Sequence, residues 1–331
     1  IMTPRQIDMP VDDPVIAISA GGLHSACITS TGECYTWGSS QYGQLGHGLE
    51  VVEKITCNVP RRVMLPHVKE EGLQKGKVVV ESPEEPFIAD SIACGGMHTA
   101  AVDKNGKLWC WGRADSGQTG KRDWIFTFFS GLVVPHMVTE IEEEVTMVAC
   151  GGWHTAAVTC SGKVYTMGKA DFGILGTTVE SELKSHVKLI DSLQDKQVIG
   201  VSCGGWHTVL WTDDGELFVC GKGEYGRLGL GHEASICEPM QVKLDDGVKV
   251  RSASAGGSHT LILTRSHGVL STGRTGEGRL AIGSVTCDRI LNPTKVDLYN
   301  DHVIREQEDE ILQVCAGGGH SLIVKSPDQG D

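Results

Sequence analysis

The sequence lacks the short motifs that mark the common enzyme classes. Its 331 residues contain no phosphate-binding glycine loop, no nucleophile motif and no zinc-ligand spacing. None of the 12 cysteines stands in a C-x-x-C pair, and no N-x-S/T glycosylation signal with a permitted middle residue is present. We therefore expect no catalytic residue, no cofactor and no metal. We also expect a reduced intracellular protein, of the nucleus or the cytoplasm, with buried thiols.

The chain also lacks long apolar runs and an excess of basic residues. No stretch of about 18 apolar residues exists, so we expect no membrane span. The net charge of -13 argues against direct contact with nucleic acid, because phosphate binding needs clustered lysine and arginine. The acidic balance is compatible with a basic partner, although acidic surfaces also simply keep proteins soluble.

What the sequence does contain is a repeat. The motif GGxH occurs six times, and the gaps between successive histidines are 74, 56, 53, 52 and 61 residues. The six histidines are His24, His98, His154, His207, His259 and His320. Internal periods of this size are typical of propellers and solenoids.

Other features keep step with the motif. Fourteen residues after each of the first five histidines stands a glycine, namely Gly38, Gly112, Gly168, Gly221 and Gly273. Five residues later a second glycine opens GQLG (43–46), GQTG (117–120), GILG (173–176), GRLG (226–229) and GRLA (278–281). The units begin with mostly proline-led segments near residues 4, 60, 135, 185, 239 and 293. These fixed offsets indicate one structural unit repeated along a single domain, residues 1–331.

Each unit predicts short β-strands. In HTAAVDKNGKLWCWG (98–112), two apolar runs flank DKNG, whose residue types accept the positive φ of a hairpin turn. The other units carry TSTG, TCSG, TDDG or TRSHG at the same place. A small sheet cannot bury its faces alone, whereas neighbouring blades arranged radially bury one another. The predicted fold is therefore an all-β propeller of four-stranded blades.

The repeated histidine is predicted to be structural. A catalytic or metal site occurs once, whereas this histidine recurs six times. We expect it to bond a backbone group that the glycine turn leaves unpaired. Cys94, Cys150 and Cys203 precede the glycine pair where the other units have alanine, which indicates a small buried residue rather than a ligand.

The GGxH, aromatic-Gly and GQLG motifs resemble the repeats of the regulator of chromosome condensation family over essentially the whole chain. The resemblance implies a β-propeller, for which seven blades are the family norm. Five complete units and the first half of a sixth are visible, the last stopping after GGGHSLIV (317–324). Either the sequence is a segment of a longer chain, or the ring has fewer blades or stays open.

The resemblance implies several alternative functions, because propellers of this family serve different ends. Some are exchange factors for the Ran GTPase, one is a plant ultraviolet-B photoreceptor, and many are interaction modules. The photoreceptor has a tryptophan cluster flanked by arginines within a G-W-R-H-T version of the motif. Here the corresponding sequence is GGWHT at 151–155 and 204–208, without arginine. We therefore expect no cation–π packing of that type and no photoreceptor function.

Three insertions interrupt the period, at residues 66–88, 121–134 and 299–311, and function is expected in such loops. The second holds Trp124, Phe126, Phe128 and Phe129, which form either an outer strand packed on the next blade or an aromatic patch for a partner. Acidic candidates for partner binding are Glu142, Glu143, Glu144, Glu308, Asp309 and Glu310. They are either solvated faces or a site for a basic tail such as a histone's.

Two functions fit these observations. The first is an interaction propeller that binds a protein partner through its loops and acidic surface and catalyses nothing. The alternative is a guanine nucleotide exchange factor for a Ran-like small GTPase. Exchange needs only a surface that binds the nucleotide-free state better than the loaded one, so it leaves no motif. The expected partner is a small GTPase or a basic protein such as a histone.

Overall fold

The computed structural model describes residues 3, 5–48, 55–67, 81–121, 131–178, 186–266, 268–283, 286–296 and 311–326. The chain divides into two compact units, one of residues 1–160 and 183–187 and the other of residues 161–182 and 188–331. The regular secondary structure of the described residues in both units is almost entirely β-strand, which confirms the predicted all-β class. The single domain over residues 1–331 stays a prediction.

The first unit contains two four-stranded antiparallel sheets. One is formed by β1 (Val15–Ala20), β2 (His24–Thr29), β3 (Cys34–Ser39) and β4 (Thr56–Arg62). A hairpin of β5 (Met64–His67) and β6 (Glu81–Pro86) follows, within the first predicted insertion. The other sheet is formed by β7 (Ala89–Cys94), β8 (His98–Asp103), β9 (Leu108–Arg113) and β10 (Gly131–Met137). After it, β11 (Val145–Cys150) pairs with β12 (His154–Thr159).

The second unit repeats this plan. After β13 (Val164–Gly168), the short strand β14 (Val187–Leu189) lies at the boundary between the two units. One four-stranded sheet contains β15 (Val198–Cys203), β16 (His207–Thr212), β17 (Leu217–Gly221) and β18 (Ile236–Gln241). The next contains β19 (Val250–Ala255), β20 (His259–Thr264), β21 (Val269–Arg274) and β22 (Arg289–Lys295). The last sheet has two strands, β23 (Ile311–Ala316) and β24 (Ser321–Lys325).

Helical structure in the described residues is limited to short 3-10 turns. They are η1 (Asp171–Gly173), η2 (Asp191–Leu193), η3 (Glu224–Gly226) and η4 (Gly276–Gly278). Three of them, η1, η3 and η4, lie in the loop after the third strand of a repeat. No described helix has the length and apolar character needed to cross a membrane.

The strand register explains the fixed spacing between the histidine and the later glycine. His98 begins β8 and lies opposite Gly112 of β9. Gly112 has φ +96°, and a Cβ there would lie 2.7 Å from the Cα of His98. Only glycine fits both constraints, since this φ favours glycine and the approach leaves no room for a side chain. The equivalent pairs are His24 with Gly38, His207 with Gly221 and His259 with Gly273.

Neighbouring sheets within each unit bury one another's apolar faces, as predicted. In the first unit, Ile28 of β2 packs in one cluster with Ala101 of β8 and Trp111 of β9. Phe87 completes this cluster, its ring 5.7 Å from that of Trp111 in an edge-to-face contact. In the second unit, Leu261, Leu263 and Val269 pack with Ile311 and Val314 of β23. Each buried valine, leucine, isoleucine or phenylalanine of these clusters contributes about 1.5–3 kcal/mol by leaving water.

The sheets are offset from the sequence repeat. The proline-led segments form the fourth strand of a sheet rather than its first, as Pro135 does in β10 and Pro239 in β18. Proline suits this position because an outer strand has one edge without ladder hydrogen bonds. One sheet therefore starts at the apolar run before GGxH and ends with the proline-led segment of the next repeat.

Candidate functional site

The GGxH histidines connect neighbouring repeats through a side-chain relay. Nε2 of His98 lies 2.9 Å from the hydroxyl of Thr155, which lies one repeat further along. That hydroxyl in turn donates to the carbonyl of Gln118 at 2.8 Å. The other relays are His24–Thr99–Gln44, His207–Thr260–Arg227 and His259–Ser321–Arg279, with histidine distances of 2.8, 2.9 and 3.0 Å.

The relay fixes the histidine tautomer. A hydroxyl has a single proton, and here it is given to a backbone carbonyl, so Nε2 of the histidine must be the donor. The expectation that the histidine bonds a backbone group left unpaired by the glycine turn stays a prediction, and backbone hydrogen bonds at His154 and His320 act on the rings of His98 and His259. The histidine reaches the backbone of the GxLG segment through the threonine or serine of the following repeat. The sequence hides this partner because it stands more than 50 residues away.

Burial keeps these imidazoles neutral. The pKa is lowered from 6.5 to about 4 for His24, His154 and His259 and to about 3 for His98, because burial penalises the charged ring. The unfolded chain therefore binds more protons than the folded chain between pH 6.5 and these values. The stability that these groups support is intact above about pH 6.5 and falls as the pH drops toward 4.

The two glycines of GGxH make a backbone contact between repeats. The N–H of Gly96 donates to the carbonyl of Gly151 at 3.0 Å. A Cβ on Gly96 would lie 2.7 Å from the carbonyl oxygen of Gly152, so the loops approach too closely for any side chain. Together with the relay, this contact makes the motif a connection between repeats.

The loops after the third strand of each repeat carry a second repeated arrangement. A basic side chain directly after the glycine of the third strand stacks over an aromatic side chain of the preceding repeat. We call these pairs basic–aromatic brackets. They are Arg113 over Tyr42, Lys222 over Phe172 and Arg274 over Tyr225, at 5.0, 5.0 and 5.1 Å from the ring centroids. Such cation–π contacts contribute about 0.5–1 kcal/mol at exposed sites.

Two of the brackets are completed by a carboxylate two residues beyond the basic side chain. Asp115 pairs with Arg113 at 2.7 Å, and Glu224 pairs with Lys222 at 2.6 Å. In the third bracket the corresponding residue is Gly276, which has no side chain to pair with Arg274. The three brackets thus share the basic–aromatic pair but differ in net charge, because only two of them include a carboxylate.

The tryptophans of the two GGWH motifs also contact basic groups. The guanidinium of Arg113 lies 4.6 Å from the ring centroid of Trp153, and the ammonium of Lys169 lies 5.2 Å from that of Trp206. The sequence-based expectation concerned packing by an arginine within the motif itself, and these contacts are of a different kind. The basic group comes from the end of a strand in the preceding repeat rather than from the motif itself.

Two bracket aromatics have a strained backbone. Phe172 and Tyr225 have φ values of 60° and 63°, in the left-handed region, and Glu277 has 66° at the equivalent position. A non-glycine residue there costs about 1 kcal/mol, and such outliers cluster at functional sites. The loops keep these side chains at this cost, so we infer that the side chains are used.

The predicted acidic residues lie on a different loop. Glu142, Glu143 and Glu144 connect β10 to β11, and the side chains of Glu142 and Glu144 are exposed. The hydroxyl of Thr159 donates to the carboxylate of Glu143 at 2.9 Å. The remaining candidates, Trp124, Phe126, Phe128, Phe129, Glu308, Asp309 and Glu310, lie outside the described residues.

The cysteines are all free thiols, and most are at least partly buried. Burial raises the pKa of Cys34, Cys94 and Cys220 to about 12. Thiols of this kind are poor nucleophiles. Within the described ranges, no group of histidine, cysteine, aspartate and glutamate side chains is arranged to hold a metal ion.

The bracket residues were not among the predicted site residues, although the sequence carries a signal for them. The position after the third-strand glycine is basic in four successive units, at Arg113, Lys169, Lys222 and Arg274. A basic residue at one fixed offset from the motif, with an aromatic residue three positions later in two of the units, is such a signal. The role of this basic residue depends on its contact with an aromatic side chain of the preceding repeat, and the sequence does not show that contact.

The chain is similar to known propeller proteins. The family model described as RCC1-like domain matches residues 1–330. The ultraviolet-B receptor UVR8 of Arabidopsis thaliana is 30% identical over 316 residues, which cover 85% of this chain and 70% of the receptor. The human E3 ubiquitin-protein ligase HERC2 is 33% identical over 266 residues, which cover 80% of this chain and only 5% of the ligase.

Solved structures share the fold. Yeast RCC1 (Prp20), in its complex with Kap60, superposes with a TM-score of 0.72 at 20% identity, and the match covers 94% of this chain and 67% of the yeast chain. At this identity the likeness shows the fold alone, which is a β-propeller built from four-stranded sheets.

Proposed function

This chain belongs to the RCC1-like domain family, and on that premise we propose that it is a protein-interaction propeller that binds a partner through its loops and catalyses no reaction itself. One observation carries the proposal. Four of the six repeated histidines, the residues that look reactive, are engaged in relays between repeats, while nearby loops hold partly exposed aromatic and charged side chains. Rigid sheets that present variable loops are typical of binding surfaces.

Proteins of the same fold support this assignment. Yeast RCC1 has been solved in complex with Kap60, and Prp20p has been studied for its binding to Gsp1p and histones. Each of these is a protein partner. The relatives named as a receptor and a ligase are larger than this chain, so their activities do not transfer with the propeller.

We assign the acidic loop between β10 and β11 to a basic partner. Glu142 and Glu144 are exposed, and the ammonium of Lys107 contacts the backbone carbonyl of Glu142 rather than either carboxylate. Exposed carboxylates accelerate and orient the approach of a basic segment, such as a histone tail. Trp124, Phe126, Phe128 and Phe129, and the acidic residues 308–310, remain proposed parts of the partner surface.

The test is histone binding by the purified chain, measured by fluorescence anisotropy of a labelled histone tail. We expect the double variant Glu142→Gln and Glu144→Gln to bind about three- to tenfold more weakly, since exposed ion pairs are each worth up to about 1 kcal/mol. The matched control is Asp245→Asn with Asp246→Asn, which removes the same charge from two exposed aspartates elsewhere. Equal weakening by both double variants would show that only net charge matters and would reject this loop as the site.

The same preparation tests the exchange-factor alternative. A Ran-type GTPase loaded with a fluorescent guanine nucleotide is mixed with catalytic amounts of this chain, and nucleotide release is followed. Accelerated release would establish exchange activity and replace the interaction-module proposal. An unchanged rate together with histone binding is the result that we expect.

A further inference from the structure

The bracket of Arg274 and Tyr225 differs from its equivalents by one missing carboxylate. Arg113 and Lys222 each have an acidic residue two positions later, and both form the ion pair. At the corresponding place after Arg274 stands Gly276. The cation is nevertheless held over an aromatic ring at the same distance as in the other two brackets. The arrangement that holds a carboxylate in the other two brackets is therefore present here, and none of the described residues supplies one.

The other carboxylates of the described loops around this bracket are already engaged. Glu224 pairs with Lys222 and with Arg227, and Asp288 pairs with Arg289. Glu277 pairs with Arg279 at 2.9 Å, Glu233 with Arg289, and Asp171 with Lys169 at 2.9 Å. Glu224 and Asp288 influence Arg274 electrostatically, but neither forms an ion pair with it in the described structure. Arg274 is exposed and retains its capacity for bidentate contact.

Apolar surface continues from this bracket along the same unit. Phe172 is 45% exposed, and its ring meets that of Trp206 edge to face at 5.6 Å. Lys222 covers the other side of Phe172 and stands three residues before Tyr225. The brackets thus link Phe172, by way of Lys222 and Tyr225, to the guanidinium of Arg274, which has no ion pair among the described residues. Tryptophan, tyrosine and arginine are the residue types that dominate binding energy at protein interfaces.

We propose that this surface binds an acidic peptide segment of a protein partner. A glutamate or aspartate of the segment pairs with Arg274, in the place that Asp115 and Glu224 fill in the other brackets. A neighbouring phenylalanine or leucine of the segment packs on Phe172 and Trp206. The chain as a whole carries a net charge of -13. An arginine without an ion pair among the described residues, beside partly exposed aromatics, therefore selects one acidic group locally, while the rest of the surface rejects strongly acidic proteins.

The number of free cations favours a carboxylate over a phosphate group. A phosphate carries about two negative charges and is usually held by several donors or by an arginine cluster. Here one guanidinium lacks an ion pair among the described groups of the surface. This inference rests on the proposed interaction function, but it concerns a loop surface distinct from the acidic loop at Glu142.

Gly276 offers a direct test, because its geometry permits a side chain. A Cβ there would meet only the Nε atom of Arg274, at 3.7 Å, an ordinary contact. Its φ lies outside the left-handed region that would demand glycine. Gly276→Asp would therefore recreate the carboxylate of the other brackets and pair it with Arg274, which blocks the site without removing any side chain of the surface. Gly276→Asn has the same shape without the charge.

The probe is a short fluorescein-labelled peptide that alternates glutamate with phenylalanine and leucine, and its binding is measured by fluorescence anisotropy at low salt. We expect Gly276→Asp and Arg274→Gln to weaken binding about tenfold, and Gly276→Asn to leave it within about twofold of the wild type. The peptide with glutamine in place of glutamate should bind the wild type about tenfold more weakly. Thermal unfolding of each variant checks that the fold is retained.

Three results would overturn the proposal. They are absence of peptide binding to the wild type, equal binding of the glutamine peptide, and undiminished binding by a folded Gly276→Asp variant. Histone binding by the wild type, measured in the same buffer, separates the two proposals. If the wild type binds the histone tail but not the peptide, the Arg274 site is rejected and the interaction function stands.

Discussion

Replacing Thr260 by valine should lower the free energy of unfolding more than the same change at an exposed threonine. The hydroxyl of Thr260 accepts from Nε2 of His207 at 2.9 Å and donates to the carbonyl of Arg227 at 2.7 Å, and its side chain is buried. Valine keeps the shape but removes both hydrogen bonds. Two buried polar groups are then left without a partner, at about 1–3 kcal/mol each.

We therefore expect a loss of about 2–4 kcal/mol in the free energy of unfolding, a large share of the roughly 5–15 kcal/mol of a typical domain. Urea denaturation followed by tryptophan fluorescence and far-UV circular dichroism measures it. The control is Thr294→Val in β22. That hydroxyl is exposed, so water replaces its contact with the Asn292 carbonyl, and the expected change is under about 0.5 kcal/mol.

A double-mutant cycle adds the specific test of the relay. His207→Ala alone removes the donor, and combined with Thr260→Val it should cost less than the sum of the single changes by at least about 0.5 kcal/mol. If the two changes simply add, or if Thr260→Val behaves like the Thr294 control, the hydrogen-bond relay does not hold the repeats together and the reasoning fails.

Further predictions follow from the same contacts. Gly96→Ala should destabilise the fold by about 2 kcal/mol or more, because its Cβ would meet a backbone carbonyl at 2.7 Å, whereas Gly318→Ala, at the same motif position with nothing within 4 Å, should be tolerated in thermal unfolding. Lowering the pH from about 7.5 to about 5.5 should cost about 1 kcal/mol for each histidine whose pKa falls to about 4, and a pH-independent melting temperature would contradict this. Trp124→Ala with Phe128→Ala should abolish partner binding without lowering the melting temperature; a large drop in melting temperature would instead mark both residues as core.

Much of the fold follows from the sequence because the relevant contacts are local. The hairpin turn at Gly106 and the pairing of His98 with Gly112 join residues fewer than 15 positions apart, so their spacing is visible as a fixed offset. The burial of one sheet by the next was also predictable, since a small sheet with two apolar faces has no other way to exclude water. The spacing of the GGxH motif was sufficient to predict a chain built from repeated four-stranded sheets.

The candidate site depended on contacts between repeats, which the period does not specify. The hydroxyl partner of His98 is Thr155 of the following repeat, because the tertiary packing places that side chain beside the ring. Likewise the basic side chains after the third strand gained meaning only when Arg113 was found over Tyr42 and Trp153. Residues at a sequence distance of one whole repeat meet through sheet packing, and no local pattern records which of them do.

The sequence by itself determined that this is a repeated all-β chain. It also predicted that the histidines are scaffold, because six copies of one motif cannot each be a unique reactive centre. Only the tertiary structure decided that Arg274 has no carboxylate partner among the described residues. Gly276 is unremarkable as a letter in the chain. Comparison of the three brackets in space shows that Gly276 stands where the other two have a carboxylate, since pairing depends on distances of a few ångströms between side chains.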